Sequence, residues 1–216
     1  MILNKREKYL QIAMNSTLED AWKTIRELPE SERIIVEAGT PLIKRYGAEA
    51  IRSIKHWWGG YVVADLKTMD RGLTEVEMAQ EAGASGVVAL GSAPVETINV
   101  FVENCQKLGL DAMVDMMNVE NPIKVMRKWK KMPQVVILHR GVDETEFNRE
   151  KPIPYLQINK IRSSHEVMVA VAGGDTVREV ARAIFNDADI VVVWKEFYRY
   201  SEATAQLAQD FLREIK

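Results

Sequence analysis

Eight short apolar runs recur along the chain: YLQIAM (9–14), RIIVEA (33–38), YVVAD (61–65), GVVAL (86–90), DAMVDM (111–116), QVVILH (134–139), VMVAVA (167–172) and DIVVVW (189–194). They start roughly 20 to 30 residues apart. Each is near-continuously apolar and most are rich in Val or Ile, the pattern of strands covered on both faces. The stretches between them carry helix chemistry. Asn15-Ser16-Thr17 precedes LEDAWKTIREL as a capping cluster, Asp175-Thr176 precedes VREVARAIF, and Thr40-Pro41 sets a proline in an expected first turn. Eight β-α units of this size predict an α/β fold, a single (β/α)8 TIM barrel over 1–216. The segment SEATAQLAQDFLREIK (201–216) would close it, and residues 1–7 would form a loose tail or a short cap. An open doubly wound sheet is the structural alternative.

Composition narrows the function. The chain of 216 residues has a net charge of -2, which gives no electrostatic footprint for nucleic acid or an anionic membrane. The basic stretch KVMRKWKK (124–131) reads as a solvated helix face. A single cysteine, Cys105, excludes an intrachain disulfide and a Cys-rich metal site. No apolar segment is long enough to span a bilayer, and MILNKREKYLQ lacks the apolar stretch of a signal peptide. A cytoplasmic protein is the expectation.

The fold supplies a test for function, because barrel chemistry sits at the carboxyl ends of the strands. Read in order, those ends carry Asn15, Glu37, Asp65 with Lys67, Gly91-Ser92, Asp115, His139, Gly173-Gly174 and Trp194-Lys195. Any strand end needs polar groups to meet water. Acids, a lysine and a histidine recurring where otherwise apolar strands finish point further, to an active site.

The residues also resemble a family. VEAGTPLIKRYG (36–47), VADLKTMDRG (63–72), HRGVDE (139–144) and VAVAGG (169–174) look like the orotidine-monophosphate decarboxylase suprafamily, in the same order along nearly the whole chain. Within it they are most similar to 3-hexulose-6-phosphate synthase and its relative 3-keto-L-gulonate-6-phosphate decarboxylase. After the histidine, the decarboxylases carry a second arginine where this chain has Val142, and H-R-G-V-D fits the synthase form. The resemblance implies an aldolase that joins formaldehyde to ribulose 5-phosphate through an enediolate. A phosphosugar decarboxylase is the related alternative.

Each strand-end residue then has an expected part. Glu37 and Asp65 end adjacent strands, and two carboxylates with waters suit a hard octahedral cation. The resemblance implies Mg2+ (or Mn2+) there; the plain alternative is that Glu37 caps the following helix. Lys67, two residues past Asp65, would project on the same side of an extended strand and stabilise charge on an enediolate oxygen. By resemblance His139 is the acid/base, and Asp70 reaches the partner's site in a homodimer. The alternative for the charged triplet is a surface network of Asp65, Lys67 and Asp70. Asn15, Asp115, Arg140, Gly173, Gly174 and Lys195 complete the expected substrate contacts, with the two glycines approaching a phosphate. Two ends depart from the family pattern: Asn15 stands where relatives have Asp, and Trp194 where they have Gly. Lys195 or Arg199 would then supply charge in place of a backbone cradle. These departures raise a diverged barrel with changed specificity or no catalysis as a second class of reading. The aromatics Trp57-Trp58, Trp129 and Phe197-Tyr198 read as helix-packing or dimer-surface residues.

Overall fold

The structure is a computed structural model that describes residues 2–148, 155–174, 176–198 and 203–215. Eight parallel strands close on themselves in sequence order: β1 (Tyr9–Met14), β2 (Ile34–Ala38), β3 (Val62–Thr68), β4 (Gly86–Leu90), β5 (Asp111–Asp115), β6 (Val135–His139), β7 (Met168–Ala172) and β8 (Ile190–Val193). The pairing of β1 with β8, Tyr9 opposite Ile190, shuts the ring and excludes an open sheet.

Two apolar layers hold it. Leu10, Ile12, Val36, Ala64, Val87, Val114, Val136, Val169 and Val191 face outward into the layer shared with the helices. Ile35, Val63, Val88, Met113, Val135, Ile137, Met168, Ala170 and Ile190 fill the interior. Strands buried on both faces need apolar side chains at odd and even positions alike, which is why the runs are continuous. The helices form where their caps are. Thr17 accepts from the Asp20 amide at 3.1 Å to start Leu18–Ile25, and Thr176 with Glu179 makes a capping box for Val177–Phe185. The last helix runs Thr204–Glu214.

Residues 2–7 are a cap rather than a loose tail. Leu3 is buried in the inner layer with Tyr9 and Tyr61, and its amide donates to Asp111 Oδ2 at 2.8 Å. Tyr61 donates to the same oxygen at 2.6 Å, so the barrel floor is closed by polar pairing as well as packing. The basic stretch is solvated as expected, with Lys124, Arg127, Lys128, Lys130 and Lys131 exposed, but its helix is only Pro122–Met126; Met126 and Trp129 pack into the outer layer.

The top of the barrel is built differently from the floor. The inward positions there are small or polar: Gln11 and Ala13 from β1 with Asn15 just past it, Glu37 from β2, Ala172 from β7. Small side chains near the rim leave space that bulky ones fill below.

Candidate active site

That space is a cavity of about 450 Å³, in the size range of small-ligand sites. Its wall includes Glu37, Asp65, Lys67, Asp115 and His139, with Asn15 and Thr40 at the rim. Arg140, Val142, Gly173, Trp194 and Lys195 complete the opposite side. Five strand ends thus deliver titratable side chains to one chamber.

β3 reaches it through an irregularity. Ala64 pairs with Val87 and Thr68 with Ala89, so Asp65, Leu66 and Lys67 stand opposite the single residue Val88. Lys67 takes φ +49°, left-handed backbone that a lysine seldom adopts. The bulge, not an extended strand, therefore aims the lysine. Such strain persists where surrounding contacts over-determine it, and here they do. Lys67 Nζ donates to both oxygens of Asp65, at 3.1 and 2.8 Å, and to Asp115 Oδ2 at 3.0 Å. Asp65 also accepts from the Thr40 hydroxyl at 2.8 Å.

Asp115 continues the chain. Its Oδ2 lies 2.7 Å from His139 Nδ1, and its Oδ1 accepts from the Met117 amide at 2.8 Å. Burial alone would push the Asp115 carboxyl up, but the neighbouring His139 and Lys67 outweigh it and hold it below the usual range. Burial likewise pulls Lys67 and His139 down, and the flanking carboxylates reverse that, leaving both raised. Lys67 is therefore a charged group, held between two carboxylates that are almost shut off from solvent.

Glu37 is set apart. It is buried, and Gln11 Nε2 donates to its Oε2. Burial, and after it the charge of Asp65, pushes its carboxyl up to about 7. It caps no helix: Gly39 occupies the N-cap position of Thr40–Tyr46, with no side-chain bond. Among the described residues no group of three or more His, Cys, Asp or Glu side chains is arranged around a metal position. Two buried carboxyl groups, Glu37 and Asp65, remain as the donor set. Hard oxygens in that number fit Mg2+, which keeps several waters of its own.

Asp70 is not part of this cluster. It is exposed, lies off the cavity wall, and its Oδ1 accepts from the Arg71 amide at 2.8 Å. The charged triplet is thus neither a surface network nor one unit: Asp65 and Lys67 pair inside, Asp70 stands outside.

The glycines after β7 have a structural reason of their own. Gly173 has φ +98°, and a Cβ there would lie 2.3 Å from the Arg140 carbonyl oxygen. Close backbone packing between the ends of β6 and β7 requires this glycine. Gly174 is buried and is not on the cavity wall. Beyond β8, Lys195–Tyr198 forms one 3-10 turn, and Lys195 Nζ stands 5.5 Å over the Trp194 ring. Phe197 packs on Phe211, centroids 5.7 Å apart, as a core residue. Trp129 is core as well, and Trp57 and Trp58 are half-buried against it. Arg199 lies outside the described residues. Asn15 and Trp194 share a wall: both also line a small cleft behind the cavity beside Ser16 and Asp20.

Two site residues escaped the sequence reading. Gln11 was legible only as a single polar residue inside an apolar strand. Thr40 was read through its proline neighbour and not through its hydroxyl.

Comparison with known proteins agrees with the barrel fold. The model of the Orotidine 5'-phosphate decarboxylase / HUMPS family matches residues 8–208. The bifunctional enzyme Fae/Hps of Methanothrix thermoacetophila is 38% identical over 212 residues, covering 96% of this chain and 53% of that protein. The chain spans about half the length of the curated relatives it matches. A crystal structure of 3-hexulose-6-phosphate synthase superposes with a TM-score of 0.82 at 29% identity, covering 96% of this chain and 100% of that one. The 3-hexulose-6-phosphate synthase from Salmonella typhimurium gives 0.85 at 25%, covering 96% and 98%.

Proposed function

The chain belongs to the orotidine 5'-phosphate decarboxylase / HUMPS family, and from that premise we propose that it is an aldolase that condenses formaldehyde with D-ribulose 5-phosphate to 3-hexulose 6-phosphate, and runs the reverse. The observation that carries this reading is the continuous path Asp65–Lys67–Asp115–His139 along the wall of one cavity. It sets a fixed cation beside a histidine whose second nitrogen is left for the substrate.

Glu37 and Asp65 would hold a Mg2+ (or Mn2+) ion. When bound, it would supply positive charge to the substrate's oxygens. The remaining work falls to the chain's own residues. Asp115 accepts the Nδ1 proton of neutral His139, which leaves Nε2 as the base. Nε2 takes a proton from C1 of the sugar phosphate, and the electron pair left behind delocalises onto the neighbouring carbonyl oxygen. Lys67, already charged and already oriented, stabilises that enediolate without reorganising. C1 then attacks the formaldehyde carbon: a C–C bond forms, the sugar's carbonyl is restored, and the formaldehyde oxygen, now an alkoxide, takes the proton from His139. Asn15 offers an amide to a sugar hydroxyl, while Arg140 and Lys195 offer charge to the phosphate. Val142 at the mouth leaves that side apolar, in keeping with a small uncharged aldehyde.

Homodimerisation belongs to the same reading. Asp70 is exposed, with the half-exposed Met69 and Leu73 nearby, and a second copy covering this face would bring Asp70 to its site. A cytoplasmic location belongs to the same reading and accords with the lone buried thiol of Cys105; among the described residues no helix is long and apolar enough to cross a membrane.

The test is formaldehyde consumption with ribulose 5-phosphate and Mg2+, with and without EDTA. Consumption that EDTA abolishes is expected; none in folded protein would overturn the proposal. One observation favours a second reading, a barrel of changed specificity: Trp194 and Asn15 share one wall at positions that differ from the family pattern. Trp194→Gly tests whether that wall grips the phosphate. A KM for the phosphosugar that moves several-fold places the sugar phosphate at the β8 end; an unchanged KM removes that contact.

A further inference from the structure

Gln11 lies midway along β1, flanked on its neighbouring strands by Ile35 and Val192, in a layer that is otherwise apolar. It is 1% exposed. An amide in such a place is costly unless both of its ends are paired. Only one end is. Nε2 donates to Glu37 Oε2, while Oε1 has no hydrogen-bond partner and is shut off from solvent around the barrel. With Glu37 ionised, as a bound cation requires, the carboxylate only accepts and must face the NH2 group, so the amide cannot turn over to improve this. Oε1 therefore requires a donor, and Ile35 and Val192 have none to offer. The donor must come from whatever occupies the cavity that Gln11 lines.

We propose that Gln11 is a positioning residue for the divalent cation: Nε2 fixes the Glu37 carboxylate, and Oε1 accepts from a water in the cation's own hydration shell. This rests on the reading of Glu37 and Asp65 as the cation's ligands. Water bound to a divalent cation is a strengthened donor, and partners that orient a ligand are worth about 10- to 100-fold in metal affinity. An apolar residue of the same length would fill the space equally well and do neither.

The probe is Mn2+, titrated into substrate-free protein and followed by the EPR signal of the free ion. Gln11→Met keeps length and removes both hydrogen bonds; Gln11→Ala serves if methionine packs badly. The Tm in EDTA shows that each variant is folded. Both variants are expected to bind Mn2+ about 10- to 100-fold more weakly than wild type, and to show a smaller rise in Tm on adding Mn2+. Wild-type affinity in both, with binding lost in Glu37→Gln, would overturn this inference and leave the metal reading standing. Wild-type protein that binds no Mn2+, or Glu37→Gln that binds it normally, would overturn the metal reading and this inference with it.

Discussion

Oδ2 of Asp115 lies 2.7 Å from Nδ1 of His139. An aspartate that accepts at this nitrogen selects the imidazole tautomer with the proton on Nδ1, which leaves Nε2 as a lone-pair base. The same oxygen accepts from Lys67 at 3.0 Å, so the imidazole and the ammonium are registered on one atom.

Replacing Asp115 by Asn is therefore expected to cost about 10- to 100-fold in kcat and to move the pH profile. The Asp115 charge overcomes burial and holds His139 above its usual 6.5. Only the neutral imidazole can take a proton, so kcat/KM rises with pH through that raised value. Without the aspartate charge, the acid limb moves to lower pH. A limb that stays in place assigns the titration to another group.

Glu37 titrates in the opposite sense for metal binding. Burial and then Asp65 raise its pKa from 4.5 to about 7. A raised folded-state value means that its stability contribution is full below 4.5 and is lost as pH rises through about 7. In EDTA, wild-type stability should therefore fall between about pH 4.5 and 7 relative to Glu37→Gln, whose amide does not titrate. A cation needs the ionised form, so Mn2+ affinity should weaken by about tenfold per pH unit below 7. Urea melts across pH and Mn2+ titrations at pH 6 and 7.5 check both signs.

The barrel and its ring of polar strand ends were legible because each depends on a residue pattern. Val-rich runs such as GVVAL and IVVV have only one comfortable place in a closed parallel sheet, and their last residues fall at its mouth. Lys67's position was legible, but its left-handed backbone was not, since φ +49° at a lysine is imposed by the pairing of β3 with β4. Gly173 was read as a phosphate cradle because glycine suits many close approaches. Which approach applies depends on Arg140, distant in sequence and adjacent in space. Gln11 escaped because one polar residue in an apolar strand has no period.

Gly173→Ala should cost about 2–3 kcal/mol of stability, from the positive φ and from the collision with the Arg140 carbonyl. Urea unfolding measures it. A variant as stable as wild type would mean that the β6 and β7 ends separate freely.

Asp70 and Lys67 should complement each other across subunits. Asp70→Ala and Lys67→Met are each expected to be inactive alone. Mixed and allowed to exchange subunits, they should regain activity, because a heterodimer holds one site with both native residues. No recovery, with exchange verified, places Asp70 outside the partner's site.

If His139 and Lys67 make and stabilise an enediolate at C1 of ribulose 5-phosphate, a C1 proton must exchange with solvent. Proton NMR of the sugar phosphate in D2O with enzyme and Mg2+, and no formaldehyde, tests it most directly. One C1 proton signal should be lost as deuterium enters, an exchange abolished in His139→Ala and strongly slowed in Lys67→Met. A C1 signal that persists in the presence of folded, sugar-binding wild-type protein would contradict it.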